Sequence, residues 1–291
     1  MRFLVFALLV GCATSGKKTV DIGNVKDEDF RPVKQINYSS RSDFNQKVQS
    51  ENSEATNDES ISRLLWFDGE IEDKTIWAEV AELCYEKEFD SAFELLKLKS
   101  RSYTKNPAYW NLVGTCYLRK KERRLALLFI NKAIDLNSRY APAYNNLGVM
   151  YLNENDYPRA QISFEKAIRI DNYAKTPRLN LASLFLEYGL FQEARSLLIP
   201  LYNSSKKDIQ VLNLMGVSYL MEQDIKRAQQ YLTKISNSYF ERAEFGVPQA
   251  MLAWGQGKKD RAKDILEDID QEKGHWKDYL ARLQKAYGVK I

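Results

Sequence analysis

The chain has 291 residues, with 44% apolar and 28% charged side chains. That composition supports a sizeable buried core and excludes a collagen-like or wholly disordered chain. Thirteen Gly and seven Pro are too few for an all-β protein built on tight turns. A formal charge of +4 is too mild for a nucleic-acid surface, and a single histidine, His275, removes most familiar acid–base and metal-site chemistry.

The N-terminus comes first. Met1-Arg2 is followed by eight apolar residues, Phe3 to Val10, and then Gly11-Cys12. A positive start and a short apolar run predict a secretory signal over 1–11. The run is far short of the ~20 residues a spanning helix needs. The string Leu9-Val10-Gly11-Cys12 resembles the bacterial lipobox. That resemblance implies cleavage before Cys12, diacylglycerol on its sulfur and acylation of the new amino terminus. Ala13 in place of Asp implies sorting to the outer membrane of a Gram-negative-type bacterium, facing the periplasm. The acyl chains, palmitate among them, would form a stable anchor at about 0.8 kcal/mol per buried methylene.

Residues 12–60 then turn polar, with seven Lys and Arg against nine Asp and Glu from Ala13 to Ser60 and no repeating period. Such a stretch buries too little apolar surface to offset its ordering entropy. We read it as a disordered tether with an r.m.s. span of about 40 Å. Ile61, Leu64 and Leu65 fall at helical spacing and predict a short helix over 61–72.

From 73 to 276 the chain repeats every 34 residues. Gly114, Gly148, Ala182, Gly216 and Ala250 keep this step. So do Tyr117, Tyr151, Phe185, Tyr219 and Ala253, and so do Ala126, Ala160, Ala194, Ala228 and Ala262. Ile130, Phe164, Leu198, Leu232 and Leu266 follow four residues after those alanines. Val80, Leu83, Ala92 and Leu96 extend the phase backwards. The pattern resembles the tetratricopeptide repeat. The resemblance implies an all-α superhelix, an α-solenoid of about six helix pairs in which the small residues let paired helices approach closely. Residues 277–291 are read as a capping helix, with Tyr279, Leu280, Leu283 and Tyr287 on one side and Lys and Arg on the other. Gly246 and Pro248 in the sixth unit predict a first helix that starts late or kinks.

Tetratricopeptide arrays bind a peptide or helix along the surface lined by their first helices. Transferring that lining places Trp77, Asn111, Leu118, Arg119, Asn145, Val149, Leu152 and Leu179 in the groove. It continues through Leu186, Asn213, Val217, Leu220, Met221, Met251 and Trp254. The lining is mainly apolar, and Arg119 alone would suit a carboxylate clamp. It predicts capture of an apolar or amphipathic protein segment, with the asparagines gripping its backbone, unless the stripe is core between repeats or is covered by the chain's own N-terminal segment.

No phosphate loop, nucleophile elbow or metal cluster is readable, so we expect no catalysis, cofactor, metal, small-molecule substrate or nucleic acid. Cys84 and Cys116 could bridge in an oxidising periplasm or stay buried thiols. A lipobox followed by six such repeats looks like the pilotin lipoproteins of type IV pili. That resemblance implies a membrane contact through the lipid alone and a secretin as partner. Two other roles fit the same architecture: a scaffold for peptidoglycan hydrolases or an envelope or gliding-motility complex, and a structural subunit in outer-membrane protein assembly.

Overall fold

The computed structural model describes residues 76–269. The signal, Cys12, the tether, the 61–72 helix, His275 and the 277–291 cap lie outside the described residues, as does the side chain of Trp77. Among the described residues there are twelve α-helices and no strand, arranged as six successive hairpins. The helices are α1 (Ile76–Tyr85), α2 (Phe89–Tyr103), α3 (Pro107–Arg119), α4 (Arg123–Leu136), α5 (Ala141–Asn153) and α6 (Tyr157–Ile170). They continue as α7 (Lys175–Glu187), α8 (Phe191–Ser204), α9 (Ile209–Met221), α10 (Ile225–Leu232), α11 (Ala243–Gly255) and α12 (Lys259–Asp268). The described chain divides into two compact units, 76–181 and 182–269.

Each hairpin turns by the same device. The second residue after the first helix takes a left-handed conformation at Lys87, Lys121, Asn155, Gly189, Gln223 and Gly257, with φ between 59° and 79°. The next residue's N–H then reaches back five positions to a carbonyl: Glu122 to Tyr117, Asp156 to Tyr151, Leu190 to Phe185 and Asp224 to Tyr219, each at 2.9 Å. This is a Schellman closure, which satisfies carbonyls that the helix end leaves unpaired. Asp156 and Asp224 also accept from the N–H of Arg159 and Arg227, opening the second helix of their hairpins.

In the first unit α3 packs on α4 and α5 on α6. A Cβ added to Gly114 would stand 2.6 Å from Ile130, and one added to Gly148 would stand 2.5 Å from Phe164. Only glycine permits that approach. Ala126, Ile130, Ala160 and Phe164 are fully buried at the seam. An aromatic layer links α2, α3 and α4: Phe93 to Tyr117 at 4.6 Å, Tyr117 to Phe129 at 5.4 Å and Phe129 to Trp110 at 5.6 Å between centroids. Cys84 of α1 and Cys116 of α3 are joined in a disulfide with their Cα atoms 5.1 Å apart. The bridge therefore ties the first hairpin to the second.

In the second unit Gly216 lies against Leu232, and Ala194, Leu198, Ala228, Ala262 and Leu266 are fully buried. The sixth hairpin does not show the late start that Gly246 and Pro248 suggested. Helix α11 begins at Ala243, one period after the start of α9 at Ile209, and continues through Pro248. Pro248 has no N–H for the carbonyl four residues earlier, that of Glu244. Asn213 Nδ2 donates to that carbonyl at 2.8 Å instead. A side chain of the previous repeat thus replaces the missing backbone donor. Asn213→Ala should cost about 1–3 kcal/mol by leaving a buried carbonyl unpaired. In a Pro248→Ala background, where a backbone N–H returns, the same substitution should cost clearly less. Urea denaturation of the four variants measures the coupling, and equal costs in both backgrounds would disprove the replacement.

Candidate interaction surface

The predicted lining falls on the first helices of the hairpins, and the two units treat it differently. In the first unit Asn111 and Leu118 of α3, Asn145, Val149 and Leu152 of α5, and Leu179 of α7 are all buried. The amides are engaged within the protein. Asn146 Nδ2 donates to Asn111 Oδ1 and to Thr115 Oγ1, both at 3.0 Å. Asn145 Nδ2 donates to Asn146 Oδ1 at 3.0 Å and its Oδ1 accepts from Asn180 Nδ2 at 2.8 Å. The result is a relay through α3, α5 and α7, with each inter-helix step to a residue about one repeat away. In a dry interior such a paired network specifies register, because slipping would strand several amides at once. Sequence reasoning missed Asn146 and Asn180. They lie 34 residues apart, parallel to Asn111 and Asn145, and that doubled row was the available signal.

Arg119 is half-buried. Its guanidinium sits 4.6 Å from the centre of the Tyr85 ring and donates to the Tyr85 carbonyl at 3.4 Å. It lies over the C-terminal end of α1, where a cation meets the negative pole of the helix. Tyr144 of α5 donates its hydroxyl to the Ser138 carbonyl at 3.1 Å, and burial pushes its pKa up to about 12.

In the second unit Leu186, Asn213 and Leu220 are buried. Val217 and Met221 of α9 and Met251 and Trp254 of α11 are half-buried and keep part of their surface in solvent. Helices α9 and α11 pack together. Val217 and Met251 are homologous positions one period apart. The ammonium of Lys259 lies 5.5 Å from the Trp254 ring centre. Asn213 Oδ1 is buried and has no hydrogen-bond partner among the described residues. The predicted sites therefore separate into a buried set, mostly on α3, α5 and α7, and four partly open apolar residues on α9 and α11. Position in the repeat alone does not set exposure: Val149 is buried where its period equivalents Val217 and Met251 are partly open, and Leu118, Leu152, Leu186 and Leu220 are buried where their equivalent Trp254 is not.

Among the described residues no three His, Cys, Asp or Glu side chains stand close enough to hold a metal ion. No described helix is long and apolar enough to cross a membrane.

Six helix hairpins at a fixed period, each with a left-handed turn and a small residue at the seam, are the tetratricopeptide-repeat fold. Arrays of this kind are scaffolds for protein–protein interaction. A tetratricopeptide-repeat family profile matches residues 129–162. Subunit CDC16 of the anaphase-promoting complex of Saccharomyces cerevisiae is 25% identical over 135 residues, covering 46% of this chain and 16% of that protein. The chain spans at most about a quarter of the length of the curated relatives it matches. Among solved structures, the Cut9–Hcn1 hetero-tetramer of that complex aligns with a TM-score of 0.57 at 18% identity, over 66% of this chain and 38% of the other. PilW, a type IV pilus biogenesis factor, aligns at 0.54 and 17% identity, over 73% of this chain and 92% of PilW. PilF of Pseudomonas aeruginosa aligns at 0.52 and 20% identity, over 65% and 87%. At these identities the likeness is one of fold.

Proposed function

We propose that this protein is a lipid-anchored adaptor of the bacterial envelope. In this reading Cys12 carries the acyl anchor and the repeats hold an apolar segment of another protein, as a pilotin does for a secretin at the outer membrane. The observation that carries the adaptor reading is the row Val217, Met221, Met251 and Trp254, four apolar side chains that stay partly open where Leu118, Val149, Leu152, Leu186 and Leu220 of the same predicted lining are buried. Unbranched Met beside Trp gives an adaptable contact for an amphipathic segment. Two further points support the envelope and pilus parts. A disulfide between Cys84 and Cys116 suits an oxidising compartment. The match spans nearly all of PilW and PilF but well under half of the anaphase-complex chain. The anchor raises the local concentration of the partner-binding surface at the membrane.

Deleting the gene should abolish SDS-resistant secretin multimers in the envelope. Wild-type protein should restore them, whereas Cys12→Ser or the pair Val217→Glu and Met221→Glu should not. These two side chains are only half-buried, so charge there spares the core. Leu152 and Leu186 are unsuitable for the same test, because Asp at either would bury a charge and unfold the repeat. Normal multimers in the deletion strain reject the pilotin role. An intact mass without an acyl group at Cys12 rejects the anchor.

A further inference from the structure

The second unit carries a ladder of three tyrosines, Tyr202 on α8, Tyr219 on α9 and Tyr231 on α10. Tyr219 and Tyr231 stack at 5.8 Å, and Tyr202 meets Tyr231 edge-on at 5.4 Å. Four cations surround them. Two are neutralised within the protein. Arg195, 4.6 Å from the Tyr219 ring centre, makes a bidentate pair with Glu222 at 2.8 and 3.0 Å. Arg227, on the same ring at 5.5 Å, pairs with Asp224 at 3.1 Å.

The other two differ. Lys206 places its ammonium 4.1 Å from the Tyr202 ring centre and donates to Asn203 Oδ1 at 2.8 Å. Lys234 lies 5.3 Å from the same ring and donates to the Tyr202 hydroxyl at 2.9 Å. Among the described residues neither ammonium has a carboxylate within 4.0 Å. The hydrogen bond from Lys234 draws the Tyr202 phenol below its usual pKa. Both lysines are exposed, as is the adjacent Lys207. One turn before Tyr202 on α8, Ile199 is 47% exposed.

We propose that Tyr202, Lys206 and Lys234, with Ile199 beside them, form a docking surface for the anionic headgroup layer of a membrane. The combination is chemical. Two uncompensated ammonium groups attract phosphate oxygens. A phenol suits the headgroup level, where one end of the ring is apolar and the other wet. Ile199 has apolar area to bury at the acyl boundary. An acidic peptide would satisfy the lysines but leave Ile199 without a role. The inference deepens the anchored reading and takes from it only the presence of a nearby bilayer. The acyl chains would hold the protein at the membrane, and this surface would fix which face of the second unit turns toward it.

The test uses the mature chain from residue 12 with Cys12→Ser, which lacks the apolar run Phe3 to Val10 and carries no acyl group, in sedimentation with phosphatidylcholine vesicles with and without phosphatidylglycerol. We expect binding to the anionic vesicles only, weakened by salt. Lys206→Gln with Lys234→Gln should weaken it roughly 30-fold, at about fivefold per lysine near an anionic surface. Ile199→Ser should weaken it further, and unchanged circular dichroism and melting should show that these exposed changes leave the fold intact. Equal binding by the double variant overturns the proposal. So does equal binding to neutral vesicles. Binding of inorganic phosphate or polyglutamate at least as tightly as anionic vesicles, through the same lysines, assigns the surface to a free anion or an acidic chain and overturns the proposal as well. None of these outcomes bears on whether Cys12 is acylated or secretin multimers form, so the two readings fail separately.

Discussion

Removing the Cys84–Cys116 disulfide is expected to lower the unfolding free energy of the first unit by about 2–4 kcal/mol. Both sulfurs are fully buried, and the bridge spans a sequence separation of 32 residues between α1 and α3. Cross-linking over such a loop removes conformations from the unfolded chain that the folded chain never used. The position increases the effect. In a linear array each hairpin is held by its neighbours, and the first described hairpin has a described neighbour on one side only, so it would otherwise fray first. The covalent tie holds α1 onto α3 within the cluster of Val80, Ala81, Ala92, Leu96, Leu112 and Val113. The measurement is denaturation of the oxidised chain against Cys84→Ala with Cys116→Ala, which avoids placing hydroxyls in that core. Reductant alone acts slowly, because the bridge must first be exposed by local opening. Hydrogen exchange should show faster opening of α1 and α2 in the variant, with the 182–269 unit unchanged. Identical midpoints would mean the tie adds nothing.

The second large effect is expected at Phe164. The ring is fully buried at the seam of α5 and α6, lying over the bare backbone of Gly148. Phe164→Ala should cost about 3–5 kcal/mol, from lost transfer energy plus a cavity that two rigid helices cannot collapse to fill. The reciprocal change is informative. A methyl at Gly148 would stand 2.5 Å from the ring, so Gly148→Ala forces the helices apart and should cost about 1–3 kcal/mol even though alanine is the better helix former. Gly148→Ala and Phe164→Leu should together cost less than their sum, because the smaller side chain makes room for the methyl. Urea melts of the three variants test this. Costs that simply add would show that the two positions do not share one space.

Much of the architecture was legible because a repeat presents the same physical problem six times. The seam glycines and alanines, and the large residue four positions after each second-helix alanine, could be aligned by their 34-residue step without any structure. The turns were half legible. Gly189, Gly257 and Asn155 advertise a left-handed residue, whereas Lys87, Lys121 and Gln223 take the same conformation with side chains that do not announce it. Closure of the Schellman bonds overrides their local cost. Extending the glycine positions by the period would have found all of them. Pro248 misled for the opposite reason. Its local rule is sound, but Asn213 from the preceding repeat supplies the donor that the rule says is missing.

The candidate surface was the least legible part. Asn145 and Asn213 occupy the same place in their repeats, yet one joins a relay of amides and the other serves a proline-orphaned carbonyl. Leu152 and Leu186 are closed while Met221, one residue beyond the equivalent Leu220, is partly open. By itself, then, the sequence determined the helical class, the period and the close-packed seams, since these follow from the size and spacing of side chains along one chain. The tertiary structure decided that Cys84 and Cys116 meet, which asparagines are occupied, which apolar residues keep solvent access, and that Lys206 and Lys234 converge on one phenol without a carboxylate. Each of these depends on distances between residues about 30 positions apart, which are set by how one hairpin packs on the next rather than by anything local to either.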